Sequence, residues 1–416
     1  MSGRPSIHNG PEGGTPTDDA PYTMLAHLLE DSHLATLERL PGLVEQRAAP
    51  VGLSEILILL ADLREQSLVA LHPDGKRTLP VDASLAGRAF RDVALIATAR
   101  DGGHHFWIPL LDGTERIGVL GVAARSSDRS TVDCVRALAS LVAFMLVSKR
   151  PHSDTYQMLV RSQPMAIAAE VVWPLMPPLT FATDNLVLTA VLEPAYEIGG
   201  DAIDYAIRGD VVHLSIFDAM GHDQSAGLTV ALATATCRSH RRRGANLVDT
   251  SVAVDQVIGE QFGGRRFATG VLAELDYRTG TLHWVNRGHP PPLLIRQGRW
   301  LHQLQCRPAP PMGFQLPAAP VLCREHLEPG DRLLFYTDGI VEARDTRGRQ
   351  FGLRRFADFV IRREADGCSA PETLRRLMRT VLDHQHGRLQ DDASALLVEW
   401  QHDREKTLLV RTPTRA

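Results

Sequence analysis

Four apolar runs in the second half of this chain stop or start on an aspartate, and no other feature narrows the fold as much. "EIGGD" ends on Asp201, "SIFDAMGHD" carries Asp218, "FYTDG" carries Asp338, and "LQDDASALLV" places Asp391 and Asp392 just before its strand. Burying one carboxylate without a partner costs several kcal/mol, so a fold that gathers these strand ends needs compensating arginines or divalent cations. Ligands that are all oxygen, with no Cys or paired His nearby, point to a hard cation, Mg²⁺ or Mn²⁺, in preference to zinc. Two ions are expected, bridged by Asp218. Glycines at 199, 200, 221 and 339 allow sharp turns beside them, and the main-chain carbonyl of Ala219 is a further candidate ligand. Taken singly, each run also has a plain reading as a turn or a solvated loop. Their joint occurrence within one stretch favours the metal reading.

The 416 residues exceed what one hydrophobic core usually supports, which implies two or three domains. A formal net charge of -4 excludes broad electrostatic attraction to nucleic acid or to anionic lipid, and neither is expected as a partner. The five cysteines are odd in number, scattered and never in a CxxC pair, so neither a disulfide framework nor a thiolate zinc site is expected. A reducing cytoplasm is the expected location. The N-terminus has no apolar leader-like run, and "ALASLVAFMLVS" at 137–148 reads as too short to span a bilayer.

Along the chain, 1–20 has the composition of a disordered tail. Residues 21–150 read as an α/β domain, with a helix over "LSEILILLADL", a strand pair around "LDGTE", and a closing helix capped by Ser130 or Thr131. Residues 151–178 read as a helical connector that the prolines of "VVWPLMPPLT" break. From 179 to 402 strands and helices recur. "PETLRRLMRTVLDHQHG" sets Leu374, Leu377, Met378, Val381 and Leu382 on one helical face, with Gly387 as the stop. Residues 403–416 read as a second tail. The fold class expected is α+β, in layers. "CRSHRRRG" reads chiefly as cations at a helix C-terminus.

The motifs "PAYEIGGDAIDY", "LSIFDAMGHDQSAGL", "FATGVLAELDYRTGTLHWVNRGHPPPLLI", "PGDRLLFYTDGIVEARDTRGRQFG" and "QDDASALLV" together resemble the PPM-type metal-dependent serine/threonine protein phosphatases of the SpoIIE-like (RsbU-like) branch. The resemblance implies a β-sandwich flanked by helices, a two-metal Mn²⁺ or Mg²⁺ centre and hydrolysis of phosphoserine or phosphothreonine. Carried over, Asp201 and Asp218 flank a bridging water with the Ala219 carbonyl assisting, while Asp338 and Asp391 or Asp392 hold the other face. His222 is the candidate proton donor to the leaving oxygen. His289 reads as structural. The chain departs from the family pattern at Ala219, Asp223 and Arg287, where glycine, glycine and a small residue are usual.

"HHFWIPLLDGTERIGVLGVAARSS" resembles the strand-turn-strand of a GAF domain, which implies an N-terminal GAF-like sensor with a small-molecule ligand and a homodimer. The family resemblance also implies a phosphorylated anti-sigma-factor antagonist as substrate. A catalytically silent, phosphatase-fold binding module that relays the sensor's signal is the alternative.

Overall fold

The computed structural model describes residues 20–72, 77–197, 199–221, 223–387, 389–400 and 405–410. Two helices, α1 (Ala20–Ser32) and α2 (Leu40–Ala48), lead into a six-stranded antiparallel sheet. Its strands are β1 (Leu53–Ala61), β2 (Ser67–Ala70), β3 (Thr78–Pro80), β4 (Ile96–Arg100), β5 (Gly103–Asp112) and β6 (Glu115–Ala124), in the order β3-β2-β1-β6-β5-β4. Helix α3 (Leu85–Asp92) covers one face through Phe90 against Leu59, Trp107 and Val119. The other face packs on α1, α2 and α4 (Arg129–Lys149) through Ile58, Leu60, Phe106, Leu120 and Val142.

Three expectations fail in this first unit. Residues 53–61 form the strand β1, not a helix. The strand lies between β2 and β6, so its apolar residues serve both faces, and a short run apolar on both sides carries no visible period. Helix α4 is capped by Asp128, which accepts from Thr131 N at 2.8 Å, so Ser130 and Thr131 already lie inside the first turn. That helix runs well beyond 137–148 and is long and apolar enough to cross a membrane by length and composition. One face of it, with Leu138, Val142, Met145 and Leu146, is buried in the first unit's core.

The linker does not prolong α4 as one rod. A 3₁₀ turn (Arg150–His152) is followed by α5 (Asp154–Val160), α6 (Ile167–Val172) and a second 3₁₀ turn (Trp173–Leu175). Pro151, Pro164 and Pro174 fall at the breaks, where each removes a backbone donor.

Residues 180–400 build two facing antiparallel sheets. One holds β9 (Asp201–Arg208), β10 (Val211–Ala219), β11 (Ala268–Asp276), β12 (Thr281–Arg287) and β15 (Cys323–His326). The other holds β7 (Thr180–Thr183), β8 (Leu186–Glu193), β13 (Leu293–Arg296), β14 (Trp300–Gln303), β16 (Arg332–Tyr336) and β17 (Ala393–Trp400). Ile203, Leu214 and Trp284 meet Leu188, Phe335 and Leu396 between them. Helices α7 (Gln224–Arg242) and α8 (Leu247–Phe262) cover the first sheet's outer face through Val230 and Ile258. A one-turn helix α9 (Asp338–Val341) leads to α10 (Leu353–Ala365) and α11 (Ala370–His384), which cover the second through Phe356, Leu377 and Val381. The result is the expected β-sandwich flanked by helices. β16 is buried along its whole length, so after Arg332 its "LLFY" reads as one continuous apolar run. All five apolar residues expected on the α11 face are buried, and Gly387, at φ +84°, ends the helix with its N–H on Leu382 O at 2.8 Å.

Two further expectations need correction. Cys306 and Cys323 form a disulfide, their Cα atoms 5.9 Å apart. The segment between β14 and β15 doubles back to bring them together, a proximity that their spacing of 17 does not reveal. The C-terminal stretch is also no plain tail: Leu408 is buried against the α10–α11 core, and the Val410 carbonyl accepts from Arg136 of α4. Apart from Ala20, which begins α1, the expected N-terminal tail lies outside the described residues.

Arg287, unusual at its position in the family pattern, is buried at the end of β12. It pairs with Asp255 of α8 at 3.2 Å and donates to the carbonyls of Pro310 (2.8 Å) and Ser251 (3.2 Å). Asp255 in turn accepts the amides of Gly313 and Gln315. Removing one partner of a buried pair leaves the other charge uncompensated. Arg287→Ala is expected to cost about 3 kcal/mol in a urea titration; a loss below about 0.5 kcal/mol would show the pair to be dispensable.

Candidate metal centre

The antiparallel pairing of β9 with β10 sets Asp201 directly opposite Asp218, and Ala219 N donates to Gly200 O at 2.8 Å. The second sheet brings Thr337, at the end of β16, beside Ser394 of β17: Thr337 N donates to Ser394 O at 3.0 Å and Ser394 N to Thr337 Oγ1 at 2.9 Å. Thr337 Oγ1 then donates across to Asp201 Oδ2 at 2.8 Å. In the reverse direction Asp392 Oδ2 accepts the amides of Gly199 (2.9 Å) and Gly200 (2.6 Å). Each sheet thus satisfies a carboxylate of the other.

The glycines are required by contact. A Cβ on Gly200 would stand 2.6 Å from Gly221 O and 2.9 Å from Ala219 O, and one on Gly339 would stand 1.9 Å from Asp392 O. Ala219 sits in regular strand and is not among the residues with positive φ, so the turn tolerates alanine there; the positive φ falls on Gly221, at +83°.

The carboxylates repel one another strongly. Burial, and then repulsion from Asp338, Asp391 and Asp392, pushes Asp218 up to about 8. Burial, with Asp218 and Asp392 adding to it, holds Asp201 well above the usual carboxylate range. Burial and Asp391 raise Asp338, and burial raises Asp392 against the pull of the Gly199 and Gly200 amides. The charges acting on Asp218 are all negative. Among the described residues no three acidic, His or Cys side chains form a ready-made ligand set, and Asp201 and Asp392 each accept from protein donors. The all-oxygen donor set and its negative field fit a hard divalent cation, which Asp218 and Asp338, with Asp391, Asp201, Asp392 and the Ala219 carbonyl at hand, could hold. His222 lies outside the described residues. His289 is buried, with Nδ1 on Thr269 Oγ1 at 2.8 Å and its backbone clasped by Asn286.

Comparison with known sequences bears on the same stretch. The sequence profile of the family "Stage II sporulation protein E (SpoIIE)" matches residues 208–401. This part of the chain is a SpoIIE-family domain. Asp218, Asp338, Asp391 and Asp392 fall inside the matched stretch, and Asp201 lies just ahead of it. Protein IcfG of Synechocystis is 21% identical over 243 residues, which are 52% of this chain; the chain thereby spans only 38% of that relative's length. The RsbU and RsbW domains of Rv1364c from Mycobacterium tuberculosis are 25% identical, over 58% of this chain and 64% of that one, at a TM-score of 0.47. The SiaA-PP2C domain of Pseudomonas aeruginosa is 21% identical, over 51% of this chain and 85% of that one, at a TM-score of 0.44.

Within the SpoIIE-type domain, sequence reasoning missed Thr337 and Arg266. Thr337 precedes Asp338 in "YTDG" and could be suspected only from that adjacency. Arg266 explains Asp223, where glycine is usual. One oxygen of Asp223 caps α7 by accepting Ala226 N at 2.9 Å, and the other pairs with Arg266 at 2.5 Å. Arg266 Nη1 also donates to Met220 O at 3.1 Å, so the guanidinium ties both ends of the turn that carries the candidate ligands. In "CRSHRRRG", Arg238 and Arg241 converge on Asp204 of β9 at 2.7 and 2.8 Å and so fasten α7 to the sheet.

The raised carboxyls set a pH dependence. Protons that the unfolded chain releases near the ordinary aspartate value of 3.8 stay bound to the metal-free folded protein up to about 8. Stability in chelator therefore falls as pH rises through that window, and a divalent ion that replaces the protons stabilises most at the alkaline end. Melting in EDTA should drop between about pH 5 and about pH 8. Added Mn²⁺ should recover more at the higher pH, and Asp218→Asn should flatten both responses. A melting temperature indifferent to pH in chelator, or a slope untouched by Asp218→Asn, contradicts the assignment.

Proposed function

We propose that the chain is a Mn²⁺- or Mg²⁺-dependent phosphatase that hydrolyses phosphoserine or phosphothreonine in a protein. The observation that carries this reading is the gathering of Asp201, Asp218, Asp338, Asp391 and Asp392 at facing strand ends, where among the described residues the charges acting on Asp218 are negative. Two bound cations would supply an acidified water and charge neutralisation for the phosphoryl oxygens. Asp218 would hold the cations; Thr337 and the Gly199–Gly200 amides fix the carboxylates of Asp201 and Asp392. The Asp223–Arg266 clasp holds the 219–223 turn, and with it the Ala219 carbonyl. His222, next to that turn in sequence, is the proposed proton donor to the leaving oxygen.

The substrate we propose, on the motif resemblance alone, is a small phosphorylated anti-sigma-factor antagonist, which would place the protein in the cytoplasm. The first unit is proposed as a GAF-like sensor, binding a small molecule and pairing as a homodimer. Its route to the site is short. Arg64 pairs with Glu193 at 3.2 Å and lies 5.2 Å from the centre of the Tyr196 ring. Ser162 N and Oγ both meet the Tyr196 hydroxyl at 3.1 Å, and Trp173 Nε1 donates to Ala195 O at 2.6 Å. Those contacts grip the segment that leads into Gly199, Gly200 and Asp201. A second reading, a silent module that binds without hydrolysis, draws support from Asp201 and Asp392 being already satisfied by protein donors.

Hydrolysis of an aryl phosphate with Mn²⁺ separates the two readings. Asp218→Asn is expected to lower turnover by more than roughly 100-fold, beyond what an outer residue contributes; a wild-type chain that takes up Mn²⁺ but shows no turnover supports the silent module. Arg266→Ala is expected to weaken Mn²⁺ affinity by about tenfold in calorimetry, with folding retained. An unchanged affinity would remove Arg266 from the account of the turn.

A further inference from the structure

The first unit and the sandwich meet over a cavity of about 430 Å³, the size of a small organic ligand. Its floor is the end of β1 and the start of β6, with Asp62, Glu65, Glu115 and Arg116; its roof is the linker, with Tyr156 and Trp173 beside a run of prolines. The charges on its wall decide what it can hold. Each arginine there already has its own carboxylate: Arg116 has Glu65 at 2.6 Å, Arg150 has Asp112 at 3.0 Å, and Arg161 has Glu170 through two bonds of 2.6 and 2.9 Å. Arg116 Nη1 donates no hydrogen bond, but Glu372 stands 3.7 Å from it, so no net positive charge is left for an anion. Asp62 is occupied by the amides of Gln66 and Ser67 at 2.7 Å.

Glu115 is left over. It accepts the Leu179 amide at 2.9 Å, and among the described residues the cation that acts on it is Arg150, which is already paired with Asp112 at 3.0 Å. Burial pushes its carboxyl up to about 7, so it carries charge in mildly alkaline solution. A carboxylate without an ion-pair partner of its own, beside aromatic side chains and apolar walls, matches an ammonium with an apolar body, which gains both the ion pair and a cation–π contact.

We propose that this junction cavity binds a small organic cation of the aryl- or alkylammonium class, its ammonium on Glu115 and its apolar body against Trp173 and Tyr156. The site is separate from the metal centre and does not rest on the phosphatase reading.

The test uses the full chain at about pH 8, with 2-phenylethylammonium as the cation and 3-phenylpropionate as an anion of the same shape. Calorimetry is expected to show the ammonium binding with a Kd on the order of 1 mM and the carboxylate not binding. Glu115→Gln should lose that binding by about tenfold or more while melting no lower than wild type, because it removes a half-buried charge that Arg150, already paired with Asp112, offsets only in part. The comparison of cation and anion needs no variant, so it stands if Glu115→Gln folds poorly. Equal or tighter binding of the anion would assign the cavity to Arg116 instead. No heat from the ammonium up to tens of mM, or full binding by Glu115→Gln, would overturn the proposal.

Discussion

The sandwich depends on an exchange between its two sheets at one end. Asp201 leaves the first sheet to accept a hydroxyl from Thr337 of the second, and Asp392 leaves the second to accept two amides from the first. Hydrogen bonds to a carboxylate are stronger than neutral ones, and here they fix the relative position of strands that share no ladder. The cost is a concentration of negative charge that the protein itself does not offset. A pair of apolar residues would join the sheets with less strain on the electrostatics, so the carboxylates are there for what they can hold.

Tight backbone contacts turn that exchange into a fixed geometry. Gly200 lies under the Ala219 and Gly221 carbonyls, and Gly339 under Asp392 O, so the loops from both sheets interlock without side chains between them. The remaining freedom is in the 219–223 turn, and the Asp223–Arg266 pair removes most of it. Asp223 and Arg266 therefore belong together: the carboxylate that replaces a glycine brings its own cation, which also holds a carbonyl of the turn.

How much of this was readable from residues alone follows from the range of each interaction. Strand-end aspartates and the α11 stripe are local patterns, and both stand where the sequence places them. The five motifs, in order, gave the family and the sandwich. What escaped is what only distant parts create. β1 hides its period because it is buried on both sides. Cys306 and Cys323 are neighbours only after a long loop returns. Thr337 is an ordinary hydroxyl until β9 arrives beside it, and Arg266 an ordinary surface cation until the turn closes over it. Long-range pairing carries no one-dimensional period, so no spacing rule could have found these residues.

The junction between the two parts shows the same logic at larger scale. A buried ionic cluster, Arg116 with Glu65 and Glu372, and Arg375 with Glu372 and Asp82, ties the first unit to α11. Helix α11 packs on β8 and β17, the strands that lead to Asp201 and from Asp392. Such a cluster is weak evidence for stability, since desolvation cancels much of its attraction, but it is highly directional. Removing one guanidinium would leave its buried carboxylate partner uncompensated. The first unit thus touches the sandwich through α11 on one side and through the Arg64–Glu193 contact on the other. In the chain these contacts come ahead of Asp392 and Asp201, the residues that the two sheets exchange.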